Sequence, residues 1–285
     1  MMHSMLRVNV EAFIFILGCI MIGLYPAERS FSAFKTTIQQ WNPYSDFPSD
    51  AFLLNRSSPS DKTWLEYYIP FDYVEEKAKI IILGITPGST QWADAVKSAN
   101  ENIRKGWSDE AVLKEAKKFG AFSGPMRERL VRMLDLVGIN KIIGASSCAK
   151  IYDSDSHDAH MTSCFVNPIF NINRKGYNEK SMKATIPLFI NAFKDGFLKE
   201  AQALPNAYIV ALGSASGILA YAVQQGWIEE ERIISGIQHP STANPRTSYF
   251  LGDSILKKSR SNDPAQVDES KQSAINKVNA ILQSM

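Results

Sequence analysis

Residues 79–92 read KIIILGITPGSTQW. The opening KIIILGI is an uninterrupted apolar, mostly β-branched run, the pattern of a central strand covered on both faces. It stops at Gly84-Ile85-Thr86-Pro87-Gly88. Pro then Gly suits the two central positions of a type II turn, since Pro presets φ and Gly accepts positive φ. Such a turn exposes backbone N–H groups at a strand end and lets a flat ligand approach closely. No Gly-Lys-Ser/Thr follows, so this is not a lysine-containing phosphate loop. By itself the stretch also suits a plain strand-to-helix turn.

Outward from this strand, 89–118 reads as helix, with Ser89 or Thr90 as cap. SGPMRERLVRMLDLVGI (123–139) is a second helix: Met126, Leu130, Met133, Leu134 and Val137 recur at helical spacing and Gly138 stops it. HMTSCFVNPIF (160–170) reads as a second strand ended by Asn167-Pro168, followed by a helix over 180–202. NAYIVALG (206–213) is a third strand running into Gly213, and SASGILAYAVQQGW the next helix. RIISGIQHPS (232–241) is a fourth strand turning at His239-Pro240-Ser241, and 266–284 an amphipathic terminal helix. Alternating strands and helices predict an α/β fold, a three-layer sandwich with a central, mostly parallel four-stranded sheet. Ligands bind at the carboxyl ends of such strands. The polar punctuation at 84–88, 167–168 and 239–241 is therefore expected to converge on one crevice.

Three regions follow from the pattern: an apolar N-terminal segment (1–30), a turn-rich irregular lead (31–78), and the main domain with its C-terminal helix (79–285). AFIFILGCIMIGL (12–24) is too short to span a bilayer comfortably. It suits a signal-peptide core or a buried element, but no clean cleavage site follows. Met5 and Met21 are alternative translation starts. The expected location is the cytoplasm, with no membrane partner. An apolar content of 45% and a charged fraction of 21% allow a sizeable core. The net charge of +2 gives no global basic field, so a nucleic-acid partner needs a local patch. KKSRSNDPA (257–265) reads as a basic surface loop. Cys19, Cys148 and Cys164 argue against a disulfide scaffold and cannot alone supply the four thiolates of an iron–sulfur or zinc site.

Each candidate site residue has a bland and a functional reading. His239 follows an apolar strand and Pro240 fixes its backbone; an imidazole there can donate to a developing anion, or simply be structural. Asn167 carries an acceptor and donors on one planar amide, matching the amide edge of a pyrimidine, or it ends a strand before Pro. Phe122, among glycines before a helix, offers a stacking face or a core side chain.

In this order the motifs resemble the uracil-DNA glycosylase superfamily. GITPG is similar to the Gly-Ile-Asn-Pro-Gly motif of the mismatch-specific and thymine-DNA glycosylases. GAFSGPMRERLVRMLDLVGINK, FVNPIFNINRKGYN and LPNAYIVALGSASG resemble segments of the thermophile-type members. IQHPSTANPR matches the His-Pro-Ser loop with its Asn-Pro-Arg sequel. The resemblance spans residues 80 to 255. It implies a monofunctional DNA glycosylase that hydrolyses the N-glycosidic bond of uracil or another damaged or modified base, in repair or in defence against modified viral DNA. It implies a monomer, with DNA carrying an extruded base as partner and no cofactor or metal.

Residue by residue, the resemblance places the backbone from Gly84 through Ile85 and Thr86 around the attacking water, with Pro87 and Gly88 lining the pocket. Phe122 would stack on the base and Asn167 would read its edge. His239 would stabilise the departing anion. Pro240, Ser241, Asn244, Arg246 and Tyr249 would press on the duplex. The energetics are coherent: extrusion costs a few kcal/mol, stacking returns roughly 1–3, and an oxyanion donor contributes about 3–4. Two departures stand out. Relatives carry Asp or Asn at the third motif position, or Glu one before, where this chain has Thr86 and Ile85. Water activation then falls to Asp94, to another acid, or to leaving-group stabilisation alone. The iron–sulfur cysteines are also missing. A basic helix face with Arg104, Lys105, Lys114, Lys117 and Lys118 is an expected DNA contact, or shapes a pocket for a larger base. The rivals are a base-binding module without excision and an unrelated α/β enzyme acting on a nucleotide-like metabolite.

Overall fold

A computed structural model describes residues 24–42, 45–58, 63–153, 155–177 and 187–285. Most of the apolar stretch at 12–24, with Cys19, and the expected helical residues 180–186 lie outside the described residues.

The strands are β1 (Leu53–Ser57), β2 (Trp64–Tyr67), β3 (Ile80–Gly84), β4 (Ala159–Ser163), β5 (Ile169–Asn171), β6 (Tyr208–Leu212) and β7 (Ile233–Ile237). The helices are α1 (Phe31–Gln39), α2 (Ser89–Arg104), α3 (Asp109–Gly120), α4 (Pro125–Val137), α5 (Ile139–Ile142), α6 (Pro187–Phe193), α7 (Lys199–Ala203), α8 (Ala215–Gln224), α9 (Pro245–Phe250) and α10 (Pro264–Ser284).

The central sheet has the order β4-β3-β6-β7 and every pairing in it is parallel. All five residues of β3 are buried. Its side chains alternate: Ile81 and Leu83 join one apolar cluster with Trp92 of α2, Val112 of α3 and Ile218 of α8. Ile80 and Ile82 join the other, with Leu130 and Met133 of α4 and Val267 and Val278 of α10. A period-two strand thus feeds two cores, which makes the molecule a three-layer α/β sandwich.

Four expectations change. The helix read over 89–118 is two helices, because Gly106 adopts φ +76 and Ser108 caps α3, accepting from the Ala111 N–H at 3.3 Å. The cap of α2 is Gly88, whose N–H donates to Gln91 Oε1 at 3.0 Å, in place of Ser89 or Thr90. The strand read over 160–170 is shared between two sheets. β4 ends at Ser163, the backbone follows β3 through Cys164 N–H to Gly84 O and Phe165 N–H to Ile85 O (both 2.9 Å), and beyond Pro168 it becomes β5. Finally, the lead is not irregular. β1 and β2 pair antiparallel, and β2 pairs with β5, giving a three-stranded sheet. Phe31, Phe34, Phe52, Trp64 and Tyr68 join the core that holds Ile81 and Leu83, so the lead packs into one of the two apolar layers on β3. Long-range pairing with β5 organises a stretch whose local turn residues gave no strand signal.

Candidate active site

At the carboxyl ends of the central strands a small cavity is walled by three groups of residues. Gly84, Ile85, Thr86 and Pro87 come from the turn after β3, Thr162 and Ser163 from β4, and Phe122 and His239 from the α3–α4 and β7–α9 connections. Two of the three expected strand ends therefore meet. The void amounts to ≈ 20 Å³, room for about one water and not for a pyrimidine ring. The expected ring-sized cavity is thus closed in this conformation.

His239 is held from several directions. Its Nδ1 accepts the Ser241 N–H at 3.2 Å, and its carbonyl accepts the Thr247 hydroxyl at 2.6 Å. An Nδ1 acting as acceptor leaves Nε2 carrying the proton of the neutral ring. Burial pushes the imidazole pKa below its ordinary value, so the neutral donor form is the resting state near pH 7. Gly213, at φ +56, makes room for it: a Cβ there would sit 3.0 Å from His239 Cβ.

Phe122 is buried and adopts φ 49, a left-handed backbone that a bulky residue rarely takes. Its ring lies over the strand end, within van der Waals distance (3.6 Å) of where a Gly84 Cβ would be. Ser123 Oγ donates to Asp94 Oδ2 at 2.9 Å, so Asp94 anchors the Phe122 loop and is not a wall of the cavity. Gly88 caps α2 outside the cavity wall.

Thr86 serves the backbone. Its Oγ1 accepts the Ile169 N–H at 3.1 Å and donates to Asn167 O at 3.4 Å. A side chain so engaged fixes the crossing from β4 to β5, which explains a threonine where an acid was expected. Asn167 does not line the cavity. Its Oδ1 accepts the Ile69 N–H at 3.2 Å and its Nδ2 reaches Glu66 Oε1 at 3.5 Å. Among the described residues no carboxylate borders the void; Gln91 and Thr162 are its further polar groups.

The segment after His239 is largely committed to the protein itself. Pro240 is buried. Ser241 Oγ accepts the Ala243 N–H, and Asn244 caps α9 by accepting the Arg246 N–H at 3.1 Å. Arg246 donates to Gln266 and Tyr249 to Asp268, both on α10. The expected basic face is also broken up. Lys117 is buried and binds Phe71 O, Tyr73 O and Glu200, while Lys114 pairs with Glu75. Lys117 is therefore no DNA contact, since its ammonium is spent inside the core. Arg104 and Lys105 are exposed. Cys148 and Cys164 are buried free thiols, their pKa values raised chiefly by burial. Among the described residues no three His, Cys, Asp or Glu side chains group as a metal site would need, and no helix is long and apolar enough to cross a membrane.

YoxB of Bacillus subtilis (strain 168), described as an uncharacterized protein, is 30% identical to this chain over 204 residues, 70% of the chain and 78% of the relative. The chain belongs to the YoxB family. No family model matches the sequence, and no solved structure matches it.

In this YoxB-family chain the sequence reading missed Glu66, Arg29, Gln91, Thr162 and the room given by Gly213. Glu66 sits on β2, is 2% exposed and is ion-paired with Arg29. A charged residue inside the aromatic run TWLEYYI was the available signal, because an acid among buried aromatics requires a partner. The buried set of Lys117, Glu200, His160 and Tyr25 was invisible locally. Glu200 Oε1 accepts from Tyr25 Oη at 2.8 Å and Lys117 Nζ at 3.1 Å. Burial pushes the Glu200 carboxyl up, but Lys117 and His160 outweigh it and hold its pKa well below the usual range.

Proposed function

We propose that this chain is a DNA glycosylase with a uracil-DNA glycosylase-like fold, excising uracil or another altered pyrimidine without cutting the strand. The reading is supported by the all-parallel order β4-β3-β6-β7, with the turn at 84–88 and the 239–241 loop on the same edge. The observation that carries it is His239, a half-buried neutral imidazole whose Nδ1 is occupied by Ser241 N–H while the ring borders the same void as Phe122 and the Gly84–Pro87 turn. As the glycosidic bond breaks, the base gathers negative charge. The Nε2–H of a neutral, pre-positioned ring stabilises that charge without reorganisation, a contribution of about 3–4 kcal/mol. Phe122 gives the base a stacking face. With no carboxylate at the void among the described residues, leaving-group stabilisation carries the rate and the Gly84–Pro87 backbone positions water. A base needs more space than the void offers, so entry requires a wall of the void to yield.

The test is release of free base from oligonucleotides containing uracil or modified pyrimidines, identified by mass. Wild type is expected to release one of them, and His239→Ala to do so 100- to 1,000-fold more slowly, about the loss of one oxyanion donor. The wild-type rate is expected to stay flat from pH 8 to below about 6.5, the ordinary histidine value, because the donor form persists until the lowered pKa is reached. Equal release by wild type and His239→Ala sinks the assignment. A second reading, a module that recognises a base without excising it, draws on the closed void and the missing carboxylate; DNA binding with no base release would favour it.

A further inference from the structure

β4 is an edge of the central sheet, and a second cavity lies against its amino end, away from the Thr162–Ser163 end that meets the void at His239. It amounts to ≈ 60 Å³, against ≈ 20 Å³ for that void, and the two share no lining residue. Its volume is about two waters' share of the liquid, which suits a tetrahedral oxyanion. Lys114 and Lys118, one turn apart on α3, share its wall with Asp153 and Ser156 of the loop before β4. Lys117 and His160, both almost wholly buried, also line it.

Most of the charge here is already matched. The Lys117 ammonium binds Phe71 O, Tyr73 O and Glu200. His160 Nδ1 accepts the Glu75 N–H at 3.3 Å, and its Nε2 lies 3.2 Å from Glu200 Oε2. The Glu75 carboxylate takes His157 Nδ1 at 2.9 Å and Tyr73 Oη at 2.8 Å, with Lys114 Nζ at a loose 3.6 Å. Three groups are left over. The Lys118 ammonium has no partner among the described residues. Ser156 Oγ is buried and has none either. Asp153 gives Oδ2 to Lys150 at 3.1 Å, which leaves Oδ1 as an acceptor. A buried hydroxyl without a partner forfeits the hydrogen bonds it had in water, so a ligand that meets it regains them.

We propose that this cavity binds a phosphate ion, with Lys114, Lys118 and Ser156 donating to its oxygens and Asp153 accepting its remaining O–H. The leftover groups are donors beside one anionic acceptor, and that mixture decides the ligand. Inorganic phosphate keeps at least one proton at neutral pH, whereas sulfate, of the same shape, keeps none. An ionised carboxylate only accepts, so Asp153 pairs with the first ion and repels the second at close range. Two of the lysines expected on a DNA-facing surface thereby line a small-anion site. The site stands apart from base excision, and its test needs no glycosylase activity.

The test titrates the full chain with sodium phosphate or sodium sulfate at constant ionic strength and pH 7.5, following backbone amide signals by NMR. Phosphate is expected to saturate, with shifts centred on 153–161 and the end of α3, and to bind at least tenfold tighter than sulfate. Lys118→Gln is expected to weaken phosphate at least tenfold and Ser156→Ala at least fivefold. Asp153→Asn is expected to bind sulfate better than wild type does, because the repelling charge is gone. Arg260→Gln, which removes an exposed cation elsewhere, is expected to change nothing. Absence of saturable phosphate binding overturns the proposal. So does equal affinity for the two ions in wild type, or a loss in Lys118→Gln no greater than in Arg260→Gln. A phosphate monoester run in parallel identifies the source: affinity equal to that of phosphate assigns the site to a phosphorylated molecule, and weaker affinity to the free ion.

Discussion

At the scale of single residues, the site depends on groups that make room as much as on the side chains that line it. His239 can sit where it does because Gly213 carries no side chain. A Cβ there would lie 3.0 Å from His239 Cβ and 3.3 Å from its backbone N, at φ +56. Gly213→Ala therefore combines a left-handed backbone, costing roughly 1–2 kcal/mol, with displacement of the imidazole. Its expected outcome is a lower urea midpoint together with a changed His239 ring signal by NMR. A midpoint and ring signal matching wild type would show that the two residues do not press on each other. Phe122 carries the opposite burden, a bulky side chain at φ 49, a strain that collects at sites where geometry matters more than stability.

Elements are joined here by backbone contact as well as by apolar stripes. β7 lies against α10 with Gly236 at φ +96, and a Cβ at that position would come within 2.1 Å of Ser270 O. Neither partner is a flexible side-chain tip, so the helix itself would have to retreat. That helix supplies Val267, Ala274, Val278 and Ile281 to the second core and anchors Arg246 and Tyr249. Gly236→Ala is expected to cost more than about 3 kcal/mol, beyond ordinary overpacking, and more than Gly213→Ala. Denaturant titration of both variants checks the order; equal midpoints would contradict the helix–strand contact. The β4–β5 run makes a related point. One chain segment leaves a parallel sheet and enters an antiparallel one, and Thr86 holds the crossing.

Across the whole molecule, a buried polar network ties the N-terminal region to the central sheet. Tyr25 and Asp72 precede the first central strand, Lys117 lies on α3, His160 on β4 and Glu200 on α7. Asp72 is pushed up to about 7, chiefly by burial, although Phe31 N–H, Tyr68 Oη and Lys117 pull the other way. Its folded value exceeds the ordinary 3.8, so between roughly pH 4 and 7 the folded state holds a proton that the unfolded chain has released. Stability from this group is present in full below about pH 4 and is lost as pH rises to about 7. The full loss is up to about 4 kcal/mol, from 1.36 kcal/mol per pH unit. Asp72→Asn, which mimics the protonated form, is expected to match wild type near pH 4 and to exceed it in melting temperature at pH 8. A variant no more stable than wild type at pH 8 would refute the buried-acid account.

How much of this was legible in the sequence follows from the range of each signal. Apolar runs and turn residues act over a few positions, so KIIILGI, NAYIVALG and the helix ending at Gly138 disclosed the α/β sandwich and the parallel sheet. Pro-Gly after β3 and His-Pro-Ser after β7 marked the strand ends that meet at the void. Nothing local disclosed that the turn-rich lead builds a second sheet, that Lys117 is buried, or that Glu66 faces Asn167 across 101 positions of chain. Those are pairings, and a pairing is decided by which surfaces the folded layers bring together. The sequence determined the layers and the strand-end turns; the tertiary structure alone decided that Thr86 supports a crossing, that Asn167 is not in the wall of the void, and that the buried Glu66 carboxylate faces it.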